Sequence, residues 1–246
     1  MRKFSVVLLA AFLVLAAAGQ AMAAFENNHL VQVIYNDAGN EVGIDLGDIG
    51  AINFSGTNVQ LAAAGTVPWG SLMGYSDLSL GYFGADLNTY ENWFATTETG
   101  EPTINPGGFS TFANGAVTVV QPYYDGIDVS GVATGPASAT FAYDKVLNDN
   151  STTPGAYGGF NADHLVGESN LAALGTVGYV DMYLYSYDII TLDKGPDPGT
   201  DYTGILRLYA DGSTVLNPGA PVPIPGAAIL LGSGLLGLVG IRRRSA

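Results

Sequence analysis

The chain has 246 residues, with 22 Asp and Glu against eight Lys and Arg and no cysteine, which excludes a disulfide scaffold, thiolate zinc sites and a Cys nucleophile. Charged residues make up only 12% and glycine accounts for 34 positions, against about 25% charged and about 7% Gly in ordinary domains, so coiled coils and charge-rich disordered tails are excluded. Five bases (Arg2, Lys3, Arg242, Arg243, Arg244) stand at the two ends, leaving Lys145, Lys194 and Arg207 against all 22 acids, a net charge of −19 that repels nucleic-acid phosphates.

Residues 1–23 read as a secretory signal peptide. Arg2 and Lys3 precede an apolar run from Phe4 to Ala18, and Ala21-Met22-Ala23 is a small-x-small cleavage site. The run is shorter than the about 20 residues a membrane span needs. Cleavage after Ala23 by signal peptidase, following passage through the Sec translocon, would leave Ala24 as the first residue.

Residues 24–221 alternate with period two, the mark of strands with one buried face. Leu30 to Tyr35 and Glu41 to Leu46 flank Asn36-Asp37-Ala38-Gly39-Asn40, a run of turn formers, and predict a hairpin. Short strands are expected at Ala51 to Phe54, Asn58 to Leu61, Leu78 to Tyr82, Ala116 to Val120 and Ala137 to Tyr143. One helical turn is expected near Asn88 to Phe94, where Asn88 could cap and Tyr90, Trp93 and Phe94 share a face. Thr96 to Phe112 and Leu147 to Asn161 read as loops rich in Gly, Pro, Thr and Asn. Gly204 to Ala210 turns through Asp211-Gly212 into Ser213 to Leu216, the strongest short hairpin signal. The fold expected is all-β, an antiparallel β-sandwich or jelly roll in a single domain, flanked by the signal helix and a C-terminal transmembrane helix. The nine residues from Leu61 to Trp69 and from Leu171 to Tyr179 match at six positions, which chance recurrence in an Ala- and Gly-rich chain accounts for.

Residues 222–246 have three parts. Val222-Pro223-Ile224-Pro225 forms an extended stem, since the prolines forbid regular helix and central strand pairing. Gly226 to Ile241 is uncharged and would form a helix of about 24 Å, long enough to lodge in a bilayer. Arg242, Arg243 and Arg244 stay cytoplasmic by the positive-inside rule, so everything upstream lies outside the inner membrane.

The segment VPIPGAAILLGSGLLGLVGIRRR resembles a PEP-CTERM sorting domain in its Val-Pro-x-Pro variant. Ile224 stands where the eponymous pattern has Glu. The resemblance covers Val222 to Ala246 alone. It implies recognition by an exosortase, a membrane-embedded cysteine protease or transpeptidase of Gram-negative bacteria that make exopolysaccharide. Delivery to the outer surface or extracellular matrix would follow.

For chemistry the interior offers little. His29 and His164 are the two histidines and fit no two-His metal spacing, and no G-x-S-x-G elbow, P-loop or dinucleotide fingerprint is present. Calcium is the one cofactor to consider, with Asp193, Asp197 and Asp201 as candidate ligands beside the pairs Asp125 with Asp128 and Asp45 with Asp48. No two acids stand two positions apart, so an acid-rich EF-hand-type loop is excluded. In Tyr179 to Tyr187, alternation sets Tyr179, Asp181, Tyr183, Tyr185 and Tyr187 on one face, a candidate carbohydrate platform with rings about 6.5 Å apart along the strand. Trp69, Trp93, Tyr123 and Tyr124 could add to such a platform or belong to the core. These features favour a non-enzymatic, exported protein with a structural or polysaccharide-binding role. A secreted glycan-acting hydrolase and a permanently anchored surface protein are the competing readings.

Overall fold

The computed structural model describes residues 25–36, 39–72, 77–89, 91–97, 106–147, 167–188 and 203–219. In β1 (His29–Tyr35) alternate side chains enter two separate cores: Leu30 and Ile34 join one, Val31, Val33 and Tyr35 the other. Burial on both faces is why the strand is an almost unbroken apolar run. It pairs antiparallel with β2 (Asn40–Asp48), Ile34 opposite Val42 and Val31 opposite Asp45.

Eight further strands follow: β3 (Val59–Ala62), β4 (Ser79–Asp86), β5 (Glu91–Thr96), β6 (Val132–Pro136), β7 (Glu168–Asn170), β8 (Tyr179–Asp188), β9 (Gly204–Tyr209) and β10 (Thr214–Leu216). All belong to one antiparallel sheet in the order β3-β10-β9-β8-β5-β4-β1-β2-β6, with β7 paired to β4 beyond the end of β5. The hairpin β9–β10 turns through Ala210, Asp211 and Gly212, one residue longer than the two expected. Gly212 has φ +85°, and Asp211 Oδ1 accepts from the amide and hydroxyl of Ser213 at 2.9 and 2.6 Å, fixing a three-residue loop that needs a left-handed glycine.

The sheet curls until its inner face meets itself. Gln32 on β1 and Thr214 on β10 stand five strands apart, yet the Thr214 hydroxyl donates to Gln32 Oε1 at 2.6 Å and the Tyr82 hydroxyl to the same oxygen at 3.1 Å. Around this bridge pack Leu80, Trp93, Met182, Leu184, Leu206, Leu208 and Leu216. The antiparallel, mostly β architecture is therefore as expected in its coarse form. The strands that a sandwich divides between two sheets belong here to one, whose opposed inner surfaces pack as two layers do.

Helices cover part of the outer face. They are α1 (Pro106–Gly115), a π-helical turn (Ala116–Val120), α2 (Gln121–Ile127) and, after β6, α3 (Tyr143–Val146). Phe112, Ala116, Val120 and Tyr124 recur every fourth residue and lie on Val31, Val33, Tyr35, Phe83, Phe94, Tyr185 and Tyr187, a stripe with helical period. The strand expected at Ala116 to Val120 is thus helical. So is part of the segment Thr96 to Phe112 expected as loop. The strand expected at Ala137 to Tyr143 is a series of turns that ends in α3, and that at Ala51 to Phe54 is irregular chain between the end of a 3-10 turn and a further turn. Near Asn88 the expected helical turn is a turn leading into β5, whose Trp93 and Phe94 go to opposite cores. The Leu61 to Trp69 and Leu171 to Tyr179 segments differ locally: the first opens in β3, the second in a 3-10 turn.

The expected signal and transmembrane helices, residues 1–23 and 226–241, lie outside the described residues. Among the described residues no helix is long and apolar enough to cross a membrane.

Candidate functional site

Where the two ends of the curled sheet approach each other, a cleft of about 560 Å³ opens between β2, β3 and the turn before β6. His29, Asp45 and Asp48 form its polar wall, facing Leu61, Ala62, Thr66 and Val129. The His29 Nδ1 lies 3.0 Å from both carboxylate oxygens of Asp45. The Asp45 carboxylate also accepts from the amides of Gly47 at 2.8 Å and Phe25 at 3.4 Å, so its position is fixed from three directions. The hydrogen bond to Asp45 holds the His29 pKa above its ordinary value against the opposing effect of burial, with Glu26 and Asp48 adding their charge. Asp48 Oδ1 accepts from Asn28 Nδ2 at 2.9 Å and Gly50 N at 2.8 Å.

Asp125, on α2, lies within electrostatic range of His29, Asp45 and Glu26. Burial pushes its pKa up, and its Oδ1 is shielded from solvent with no donor among the described residues. No three His, Asp or Glu side chains among the described residues are grouped to hold a metal ion. Asp128 Oδ1 accepts from the Ser130 amide at 2.7 Å. The candidate calcium ligands Asp193, Asp197 and Asp201 lie outside the described residues, as does His164.

The tyrosine ladder is divided. Alternation along β8 is as expected, with Val180, Met182 and Leu184 in the inner core and Tyr183, Tyr185 and Tyr187 on the outer face. Tyr185 and Tyr187, however, are 1% and 4% exposed beneath the helical layer, so they offer no face to a sugar. The platform is corrected accordingly: helices formed by residues expected as loop and strand cover its second half. Tyr179, Asp181 and Tyr183 remain half-buried. Across β8–β9, Tyr179 faces Tyr209 and Asp181 faces Arg207. Arg207 forms a two-pronged pair with Asp181, at 2.6 and 2.7 Å, and its guanidinium lies 3.8 Å from the centre of the Tyr179 ring and 5.9 Å from that of Tyr209. The two rings are 6.3 Å apart. Arg207 and Tyr209 carry no signal of their own in sequence; what brings them to Asp181 and Tyr179 is the antiparallel β8–β9 register, which no sequence motif announces.

The remaining aromatic candidates are structural. Trp93 stacks on Phe54 at 4.8 Å in the inner core, and Trp69 packs against that same core. Tyr123 and Tyr124 belong to α2. The sorting residues Val222, Pro223, Ile224, Pro225, Arg242, Arg243 and Arg244 and the cleavage residues Ala21, Ala23 and Ala24 lie outside the described residues. The chain matches no family model, no curated protein and no solved structure.

Proposed function

We propose that this chain is an exported protein of a Gram-negative cell surface or extracellular matrix, non-enzymatic, that binds extracellular polysaccharide. The Tyr179–Arg207–Tyr209 face carries the binding half of this reading. Two rings set 6.3 Å apart on neighbouring strands, with the Arg207 guanidinium over Tyr179 and paired to the Asp181 carboxylate, combine apolar faces with charged groups, the mixture that orients small polar ligands.

The export half rests on the two ends of the sequence. Phe25 is buried against Tyr124 with ring centres 5.1 Å apart, so cleavage after Ala23 removes no residue of the described cores. At the other end, the Gly219 amide donates to Asn58 Oδ1 at 2.7 Å, three positions before Val222. Cutting by an exosortase within Val222 to Pro225 therefore spares every strand among the described residues.

The test has two arms. Mass spectrometry of the product secreted by an exosortase-positive host should show an N-terminus at Ala24 and loss of Arg242 to Arg244, with the tail retained in a host lacking exosortase. Co-sedimentation with the host's exopolysaccharide should weaken at least about fivefold, or about 1 kcal/mol, for Tyr179→Ala and Arg207→Ala. Unchanged co-sedimentation of both variants refutes the binding face; an uncut tail in both hosts refutes the sorting.

A further inference from the structure

The seam cleft is well formed, yet the surface role proposed above makes no use of it. Its volume of about 560 Å³ falls within the about 300–1,000 Å³ of small-molecule sites. One wall is aliphatic, with Leu61 and Val129, and the other holds His29, Asp45 and Asp48. The described basic side chains are engaged elsewhere: Lys145 pairs with Asp144 and Arg207 with Asp181. Among the described residues, then, His29 is the sole group that can bring positive charge to this wall, while Asp45, Asp48, Glu26 and Asp125 all act on it or lie near it.

Asp45 accepts from three donors, one of them His29, whereas the exposed Asp48 uses Oδ1 alone for Asn28 and Gly50. No donor among the described residues reaches Asp48 Oδ2, and none reaches His29 Nε2. Both atoms belong to residues that line the cleft. An acidic wall opposite an aliphatic one, with an unengaged carboxylate oxygen, selects a ligand that is cationic at one end and apolar or hydroxylated along its body.

We infer that the seam cleft binds a small organic cation, a protonated amine on a short aliphatic or hydroxylated carrier. Asp48 receives the ammonium through Oδ2, and Leu61 and Val129 cover the carrier. His29 sets the pH dependence. It faces Asp45 and Asp48 on β2, Glu26 ahead of β1 and Asp125 on α2, while the segments from β3 and from the turn before β6 bring no titratable side chain to the cleft. Protonated, it repels the ammonium; as pH rises through its raised pKa that repulsion disappears and binding tightens. This site lies on a different part of the sheet from the tyrosine face and stands or falls separately from it.

Isothermal titration of the full-length chain in detergent micelles tests this. N-methylglucamine is compared with neutral sorbitol, and cadaverine with neutral 1,5-pentanediol, at about pH 8 and about pH 6. At least one amine should bind about tenfold or more tightly than its neutral counterpart, and more tightly at the higher pH; which amine does so identifies the carrier. Asp48→Asn keeps the Oδ1 acceptor and should weaken amine binding by about tenfold. Ala63→Trp fills the cleft from the exposed end of its β3 wall without touching a charge and should abolish it. Equal binding of amine and neutral partner, absence of binding by either amine, or binding indifferent to both substitutions overturns the inference.

Discussion

The Tyr124 hydroxyl donates to Glu41 Oε1 at 2.8 Å in a region where both residues are 0% exposed. This bond, with those from Gln121 to the His29 carbonyl and from Tyr123 to the Pro136 carbonyl, fastens α2 to the sheet near its β6 edge. Glu41 also accepts from the amides of Tyr143 at 2.9 Å and Asp144 at 3.1 Å, so a β2 carboxylate caps the N-terminus of α3, whose own N-cap residue Ala142 supplies no side-chain bond. Removing the hydroxyl with Tyr124→Phe leaves a buried carboxylate one donor short. The expected loss is about 1–3 kcal/mol, read from the urea midpoint at unchanged m-value.

Burial raises the Glu41 pKa from 4.5 to about 7, against the three donors that lower it. The folded state therefore keeps a proton that the unfolded chain releases between these values. Stability falls as pH rises from about 4.5 to about 7 and is level above, by about 3 kcal/mol from this group. Denaturation midpoints across that window should show the decline, and Glu41→Gln should flatten it. A decline of equal size in the variant would assign it to other groups.

Gly43 lies directly under the Tyr124 ring, where an added Cβ would come within 2.6 Å of two ring carbons. Gly43→Ala should cost about 1–3 kcal/mol by forcing the ring off the strand. In a double-mutant cycle with Tyr124→Leu the combined loss should be smaller than the sum, because the flexible side chain yields the space.

His29 should titrate above 6.5 by NMR, and Asp45→Asn should bring it down, since the hydrogen bond to Asp45 is the largest contribution to its shift. A raised histidine pKa means that its pairing stabilises the fold below about pH 6.5 and that this contribution is lost as pH rises through the folded value. His29→Gln should remove the effect.

Arg207 is 9% exposed, lying over the Tyr179 ring with Asp181 as its ion-pair partner. Asp181→Asn should cost about 1–3 kcal/mol, a hydrogen bond to a charged group. Being partly shielded, the pair should also respond weakly to added salt, in contrast to an exposed ion pair.

Much of the sheet was legible because its alternation is strong: the β1–β2 hairpin around Asn36 and Asn40, the Leu78 to Tyr82 stretch of β4, the two faces of β8 and the turn at Asp211-Gly212 all follow from residue type and spacing. The helical layer was hidden by composition. Val117, Thr118, Val119 and Val120 are β-branched and argue locally for a strand, yet the four-residue stripe of Phe112, Ala116, Val120 and Tyr124 decides the matter once a sheet face needs covering. Conversely Trp93 and Phe94 suggested a helical face because they stand three and four residues after Tyr90, whereas β5 is covered on both sides and buries each in its own core. The cleft escaped notice for a different reason. His29 and Asp45 are 16 positions apart, and it is the β1–β2 pairing with its bulge, not any motif, that joins them.

The bond from Thr214 to Gln32 links positions 182 residues apart. Closing so long a loop is entropically slow, and the inner core gains nothing from it until the last strand has been delivered. Closure of the inner core must therefore wait for nearly the whole polypeptide, which makes collapse into the curled form a late, concerted event. A chain stopped before β9 would leave Gln32 with the Tyr82 hydroxyl alone and the inner core without Leu206, Leu208 and Leu216.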